Sequence, residues 1–378
     1  MSATSTSAAS LKSRVRLHEY SVAAAVELSE QPVGTFPALL HEAPGPSRII
    51  PLDLSAPLNI EHAATSPNLL ASFITINAAE SVTSSARATS QAFFVMRGSG
   101  TSTSDAHGAI SWGQGDLFVL PRAGTLTHTA AADCATGSAA LYTINDEPLL
   151  RYLGVDPSED RFSAALYTRD VLLSKVEEVR HEPGAEHRNR MGILLSNEAC
   201  PETKTLTPIL WALLNVLPAH TKQPPHRHQS VAIDLCVSVA PEAAGKVYTI
   251  MGKELGEDGW VKPPFQKCVW ASGAVFTTPP GWWHSHHNTS DHDAWVLPTQ
   301  WVFDIQRTPP RRPFAPQLTP PLPLSYAPRV PPGMLVCTPT NALLTFSFLQ
   351  QCRSARALVV NNTSGRGEKR QFRSEILA

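Results

Sequence analysis

Between residues 69 and 144 the chain alternates short apolar runs with turn residues. Leu69–Ile76, Ala92–Arg97, Ala109–Trp112, Asp116–Leu120 and Ala139–Ile144 read as strands. Gly98-Ser-Gly100 and Gly113-Gln-Gly115 punctuate them. Many short strands at this spacing predict a barrel or a sandwich. The same texture returns at Leu206–Leu217 and runs through Val231–Val239, Lys246–Met251, Val269–Thr277 and Ala294–Phe303. The stretch between differs. Asn145–Gly154 opens with a cap, acids and proline and stops at glycine, which predicts a short helix. Thr168–Arg180 predicts a second, with Val171, Leu172, Val176 and Val179 on one side. The polar run Arg180–Arg190 reads as a solvated loop.

The expected plan is therefore all-β, barrel then connector then barrel. Residues 1–64 form an N-terminal arm, 65–146 a first barrel, 147–204 a helical connector and 205–306 a second barrel. Residues 307–378 form a tail. Ten prolines lie between Pro309 and Pro332, and no acid stands between Asp304 and Glu368. Such a run cannot build a sheet core, and it is expected to lie extended and disordered.

Composition narrows the function. A length of 378 residues suits two domains. The net charge of −1 offers no basic excess to neutralise phosphates, so no nucleic-acid partner is expected. The 33 prolines disfavour an all-helical protein. Six cysteines form no CxxC pair and no framework, which reads as reduced thiols in an intracellular compartment. No apolar run approaches the ~20 residues needed to span a bilayer, so no membrane partner is expected. The first 18 residues carry no acid until Glu19. A disordered arm on a cytoplasmic protein is the expectation, with an organelle transit peptide as the alternative.

Half of the 14 histidines fall between residues 220 and 292. In Pro224-Pro-His-Arg-His228 the two histidines alternate, so on a strand they project from one face and can share a cation. A second segment, Gly273 to Asn288, turns on glycine and proline and delivers His284 directly after the turn. A lone HxH is weak, but an HxH with a separate turned histidine about 55 residues on is a metal-site pattern.

These residues resemble the cupins, whose motifs are G(x)5HxH(x)3–4E(x)6G and G(x)5PxG(x)2H(x)3N. The second motif is met at Gly273, Pro279, Gly281, His284 and Asn288. The first is met at its HxH, but Ala232 and Ile233 stand where its glutamate belongs. Three histidines without that glutamate, in the second half of a tandem cupin, resemble the gentisate 1,2-dioxygenase group, with its related salicylate and 1-hydroxy-2-naphthoate ring-cleaving enzymes. The Trp-rich run Pro279–Asn288 and the helix Asn145–Gly154 strengthen that likeness, which spans roughly residues 65–305.

The resemblance implies two tandem jelly-roll β-barrels and a metal ion on His226, His228 and His284. Fe(II) is the expected ion, with Zn(II) and Mn(II) as alternatives. It implies a ring-cleaving dioxygenase acting on a small hydroxylated aromatic acid with O2, in a homo-oligomer. Three neutral imidazoles leave the ion's +2 charge unbalanced, which favours an anionic bidentate substrate. Trp282 and Trp283 flank His284 and are candidate walls of an aromatic pocket, or ordinary core. His286 is a candidate catalytic or supporting residue, and His287 and His292 are loop candidates. Asp234 shares the face of His226 and His228 on a regular strand. It is a candidate catalytic residue: a fourth or supporting metal ligand, a partner of a substrate hydroxyl, or turned outward by a bulge. An aspartate there repels an aromatic carboxylate, so gentisate itself is expected to be a poor substrate. Two other classes stay open: a non-catalytic bicupin binding protein, and a metal-dependent isomerase or hydrolase on the same scaffold.

The first barrel is an internal control. Its motif positions fall at Ser85, Arg87, Gln91 and Leu126, with His128 two residues later, and they do not make a metal site.

Overall fold

The computed structural model describes residues 12–20 and 31–301. The expected proline-rich tail, the first eleven residues, Cys337 and Cys352 lie outside the described residues.

Strands dominate. β1 (Thr35–Phe36) and β2 (Arg48–Pro51) come from the arm. β3 (Leu70–Asn77), β4 (Ser81–Ser85), β5 (Gln91–Arg97), β6 (Ser99–Ser104), β7 (Gly108–Gly113), β8 (Leu117–Leu120), β9 (Thr125–Ala130) and β10 (Ser138–Asn145) follow. The helix Glu147–Leu153 comes next, capped by Gly154 in the left-handed conformation. β11 (Ala165–Tyr167), the helix Arg169–Arg180 and β12 (Met191–Leu195) make up the connector. β13 (Leu210–Leu217), β14 (Ala232–Ser238), β15 (Val247–Gly252), β16 (Gln266–Val269), β17 (Val275–Thr278), β18 (Trp283–Asn288) and β19 (Ala294–Trp301) build the second half.

Each half is a sandwich of a large and a small sheet. In the first, β11-β8-β5-β10-β3-β2 faces β4-β9-β6-β7. In the second, β1-β17-β14-β19-β13-β12 faces β16-β15-β18. The two six-stranded sheets share one apolar cluster, in which Phe73, Leu117 and Tyr142 meet Leu214, Ile233 and Leu297 beside Leu172 and Val176 of the helix Arg169–Arg180. Opposite faces line two interiors. Ile74, Phe93, Phe118 and Leu141 fill the first, and Cys236, Val247, Met251, Trp270 and Phe276 the second. The inner strands of the large sheets are thus buried on both faces, which is why Leu210–Leu217 is a nearly unbroken apolar run.

The polar strands are the ones sequence periodicity missed. β4, β6 and β9 are rich in serine and threonine and carry little apolar signal. The expected strand Val269–Thr277 is broken at Gly273, which sits at φ +76° between β16 and β17. The arm and the connector also differ from expectation. β1 pairs with β17 and β2 with β3, while β11 pairs with β8 and β12 with β13. The connector thus donates an edge strand to each barrel. Strands this short show no period of their own, and non-local pairing creates them.

One strut joins the halves. His41, in the helical turn Leu39–Glu42 of the arm, donates from Nε2 to the Gly273 carbonyl at 3.1 Å. Its Nδ1 accepts from Arg97 of β5 at 3.1 Å, and Arg97 also donates to the His41 carbonyl at 2.8 Å. A Cβ on Gly273 would lie 2.6 Å from His41 Nε2. The first glycine of the second histidine segment is therefore required both by its positive φ and by this ring.

Candidate metal centre

β18 places the second histidine segment. Side chains alternate along a strand, so His284, His286 and Asn288 share one side and Ser285 and His287 the other. His287 stacks on Tyr248 of the neighbouring strand, with centroids 4.9 Å apart. Asn288 ties the segment down, donating to the carbonyls of Leu217 and His292 at 3.0 and 2.8 Å. The first segment, 224–231, is not a regular strand. His226 nevertheless forms an isolated antiparallel bridge with His284, each backbone N–H bonding to the other's carbonyl at 3.0 and 2.9 Å.

Four imidazoles converge. Ring centroids lie 3.9 Å apart for His226 and His284, 4.8 Å for His228 and His284, and 5.7 Å for His284 and His286. His226 and His228, expected as a parallel pair, are 6.3 Å apart. Burial lowers the pKa of all four, His228 to about 4, so each is a neutral ring with one lone pair. By distance alone, the ligand atoms of His226, His284 and His286 group within 4.8 Å.

Hydrogen bonding sorts the four differently. The Nδ1 atoms of His228 and His284 lie 2.6 and 3.2 Å from the carbonyls of Ser230 and Trp282. A carbonyl only accepts, so Nδ1 carries the proton in both and Nε2 keeps its lone pair. His226 Nε2 contacts the Arg190 guanidinium, which only donates, so this Nε2 also holds a lone pair. His286 differs. Its Nδ1 lies 2.8 Å from Thr249 Oγ1, which accepts from Trp270 Nε1 at 2.9 Å. The Thr249 hydroxyl is buried and has these two partners among the described residues. If Nδ1 donated, the hydroxyl hydrogen would have no acceptor. The satisfied arrangement has Thr249 donating to Nδ1, which leaves the proton of His286 on Nε2. His226, His228 and His284 therefore present lone pairs, and His286 presents an N–H.

Two charged groups share this interior. Asp234, on β14 with the inward Cys236, is buried and accepts from Thr278 Oγ1 at 3.1 Å. Burial raises its pKa to about 7, against the Thr278 bond and the Arg190 charge. Asp234 therefore lies inside, and no bulge turns it outward. Arg190, at the foot of β12, was read as the end of a solvated loop. It is partly buried instead and turned to His226, with its pKa lowered by burial against the pull of Asp234. Only its position just before an apolar strand hinted at this. Thr249, Thr278 and Trp270 carried no sequence signal of their own. The two tryptophans diverge. Trp282 lines a cavity of about 520 Å³ with Lys253, Lys262 and Phe265, and Trp283 lies under Arg227 at 4.7 Å.

The first barrel repeats the frame without the histidines. Trp112 Nε1 donates to Ser102 Oγ at 2.9 Å, and Ser102 Oγ lies 2.7 Å from His128 Nδ1. This is the Trp270–Thr249–His286 arrangement over again. His128 Nε2 then meets Ser84 Oγ at 3.1 Å. Ser84 pairs with Leu126 as His226 bridges His284, so Ser84, rather than Ser85, stands opposite the motif-histidine position.

No family model matches the chain, and no curated protein matches it. Solved structures do. A variant of salicylate 1,2-dioxygenase from Pseudoaminobacter salicylatoxidans in complex with gentisate aligns over 73% of this chain and 83% of that one, with 15% identity and a TM-score of 0.52. Another structure of that enzyme with gentisate aligns over 72% and 82%, with 14% identity and a TM-score of 0.52. The fold is that of a bicupin, two tandem jelly-roll β-barrels. Among the described residues no helix is long and apolar enough to cross a membrane.

Proposed function

We propose that the chain is a metal-dependent dioxygenase that cleaves the ring of a hydroxylated aromatic acid. The observation that carries this reading is the convergence of three imidazoles in the second barrel, His284 buried and His226 and His228 partly so, whose hydrogen bonds leave each a free or displaceable Nε2 lone pair. His226, His228 and His284 hold the ion, and Fe(II) suits an all-nitrogen face with open positions. When bound, it supplies the redox chemistry that joins dioxygen to the ring.

The chain's residues do the rest. The carbonyls of Ser230 and Trp282 fix two ligand rings and keep their Nε2 atoms unprotonated. His286, held by Thr249, offers an Nε2–H to an oxygen of the bound acid. Burial of His284 and His286 limits water on one side of the site. Arg190 adds a cation that favours an anionic substrate, and Asp234 offsets it. The first barrel, with Ser84 and Leu126 at the ligand positions, packs the second and holds no ion.

The test is an oxygen-electrode screen of hydroxybenzoates after anaerobic loading with Fe(II). Oxygen uptake with a salicylate-type acid, absent in His284→Ala, is the expected result. Tight zinc with no uptake on any acid would overturn the dioxygenase reading in favour of a hydrolase, isomerase or binding role.

A further inference from the structure

The Nε2 lone pair of His226 already has a partner: it accepts from the Arg190 guanidinium. An imidazole nitrogen has one lone pair in the ring plane, so it cannot accept that hydrogen bond and bind a cation together. We propose that Arg190 and the metal ion compete for His226, so that loading the ion requires Arg190 to swing off the ring. This rests on the metal-binding reading above and goes beyond it, because it assigns a role to a residue outside both histidine segments.

Three observations support it independently of each other. Arg190 is partly buried and forms no ion pair with a carboxylate within 4 Å among the described residues. A guanidinium drawn partly out of water without a paired anion is costly, so a ring lone pair is a poor resting place and an alternative anion attracts it. Asp234 supplies one, since its charge acts on Arg190 within the same interior. Finally, the ring contact is specific. His228 and His284 turn Nδ1 to backbone carbonyls, whereas the buried Nδ1 of His226 has no hydrogen-bond partner among the described residues. His226 is thus the ligand ring not anchored from behind, and the one that Arg190 holds from the front.

The competition lowers apparent ion affinity by the fraction of molecules in which Arg190 occupies the ring. The experiment uses the full chain stripped of metal and titrated with Co(II) against a chromogenic chelator. Arg190→Met and Arg190→Gln are expected to bind Co(II) roughly tenfold tighter than the parent. Unchanged or weaker affinity in both, with the circular dichroism of the parent, would overturn the competition. If neither variant folds, the parent labelled with 15N-arginine decides. One guanidinium signal, identified by its loss in Arg190→Lys or by its slow solvent exchange, must shift during a Zn(II) titration. A spectrum unmoved through full zinc occupancy would refute the proposal. Failure of the parent to bind Co(II) or Zn(II) at all is a different result, and defeats the metal reading itself.

Discussion

Ser84 and His226 hold the same station in the two barrels. Ser84 pairs with Leu126 across β4 and β9, and His226 bridges His284 at the matching point of the second barrel. The frame around them is shared down to a tryptophan N–H bonded to a hydroxyl that touches a histidine. The barrels therefore share this frame while differing at its ligand positions, where Ser84 and Leu126 stand in one and His226 and His284 in the other.

The tautomers separate the four histidines. His226→Ala, His228→Ala and His284→Ala should each lose the bound metal, because each removes a lone pair. His286→Ala should keep it and lose turnover, because it removes an N–H hydrogen-bond donor, worth about 100-fold or more when it faces charge that develops in the reaction. Elemental analysis beside oxygen uptake checks both. Metal loss in His286→Ala with retention in His228→Ala would show that distance, and not hydrogen bonding, picks the ligands.

Asp234 sits against the charge an acid substrate brings. Its pKa of about 7 means the carboxyl is neutral in acid and ionised in base. Asp234→Asn should therefore lower KM for salicylate above pH 7, roughly tenfold if the repulsion is about 1.4 kcal/mol. The two proteins should converge below pH 6. A pH-independent ratio would remove Asp234's charge from substrate binding.

Gly273→Ala should destabilise the protein by about 1–3 kcal/mol, through the positive φ and the collision with His41. Adding His41→Ala relieves the collision but not the backbone strain. In urea melts the double variant should lose less than the sum of the singles. Strict additivity would show that the ring does not set the identity of residue 273.

His128 gives a pH limb unconnected with metal. Burial lowers its pKa to about 4, against an ordinary value of 6.5. Between those values the unfolded chain takes up a proton that the folded chain refuses. Stability from this group is complete above pH 6.5 and falls as pH drops toward 4, by on the order of 3 kcal/mol. His128→Gln should flatten that limb in urea midpoints measured at pH 5 and pH 7.

The sequence by itself determined the class of fold and the metal-binding segments. Doubly buried strands are apolar runs, so Leu210–Leu217 and Val275–Thr278 were legible without a structure. Gly273, Pro279, Gly281 and His284 mark a turn feeding a strand, and that information is local. Only the tertiary structure decided where β1, β2, β11 and β12 pair, because strands this short have no period and exist through a distant partner. Only it decided that Arg190, at the end of a polar run, turns inward to His226. The proton on His286 is of the same kind. It depends on Thr249 and Trp270, which lie 37 and 16 positions away along the chain and meet the ring only after the barrel closes.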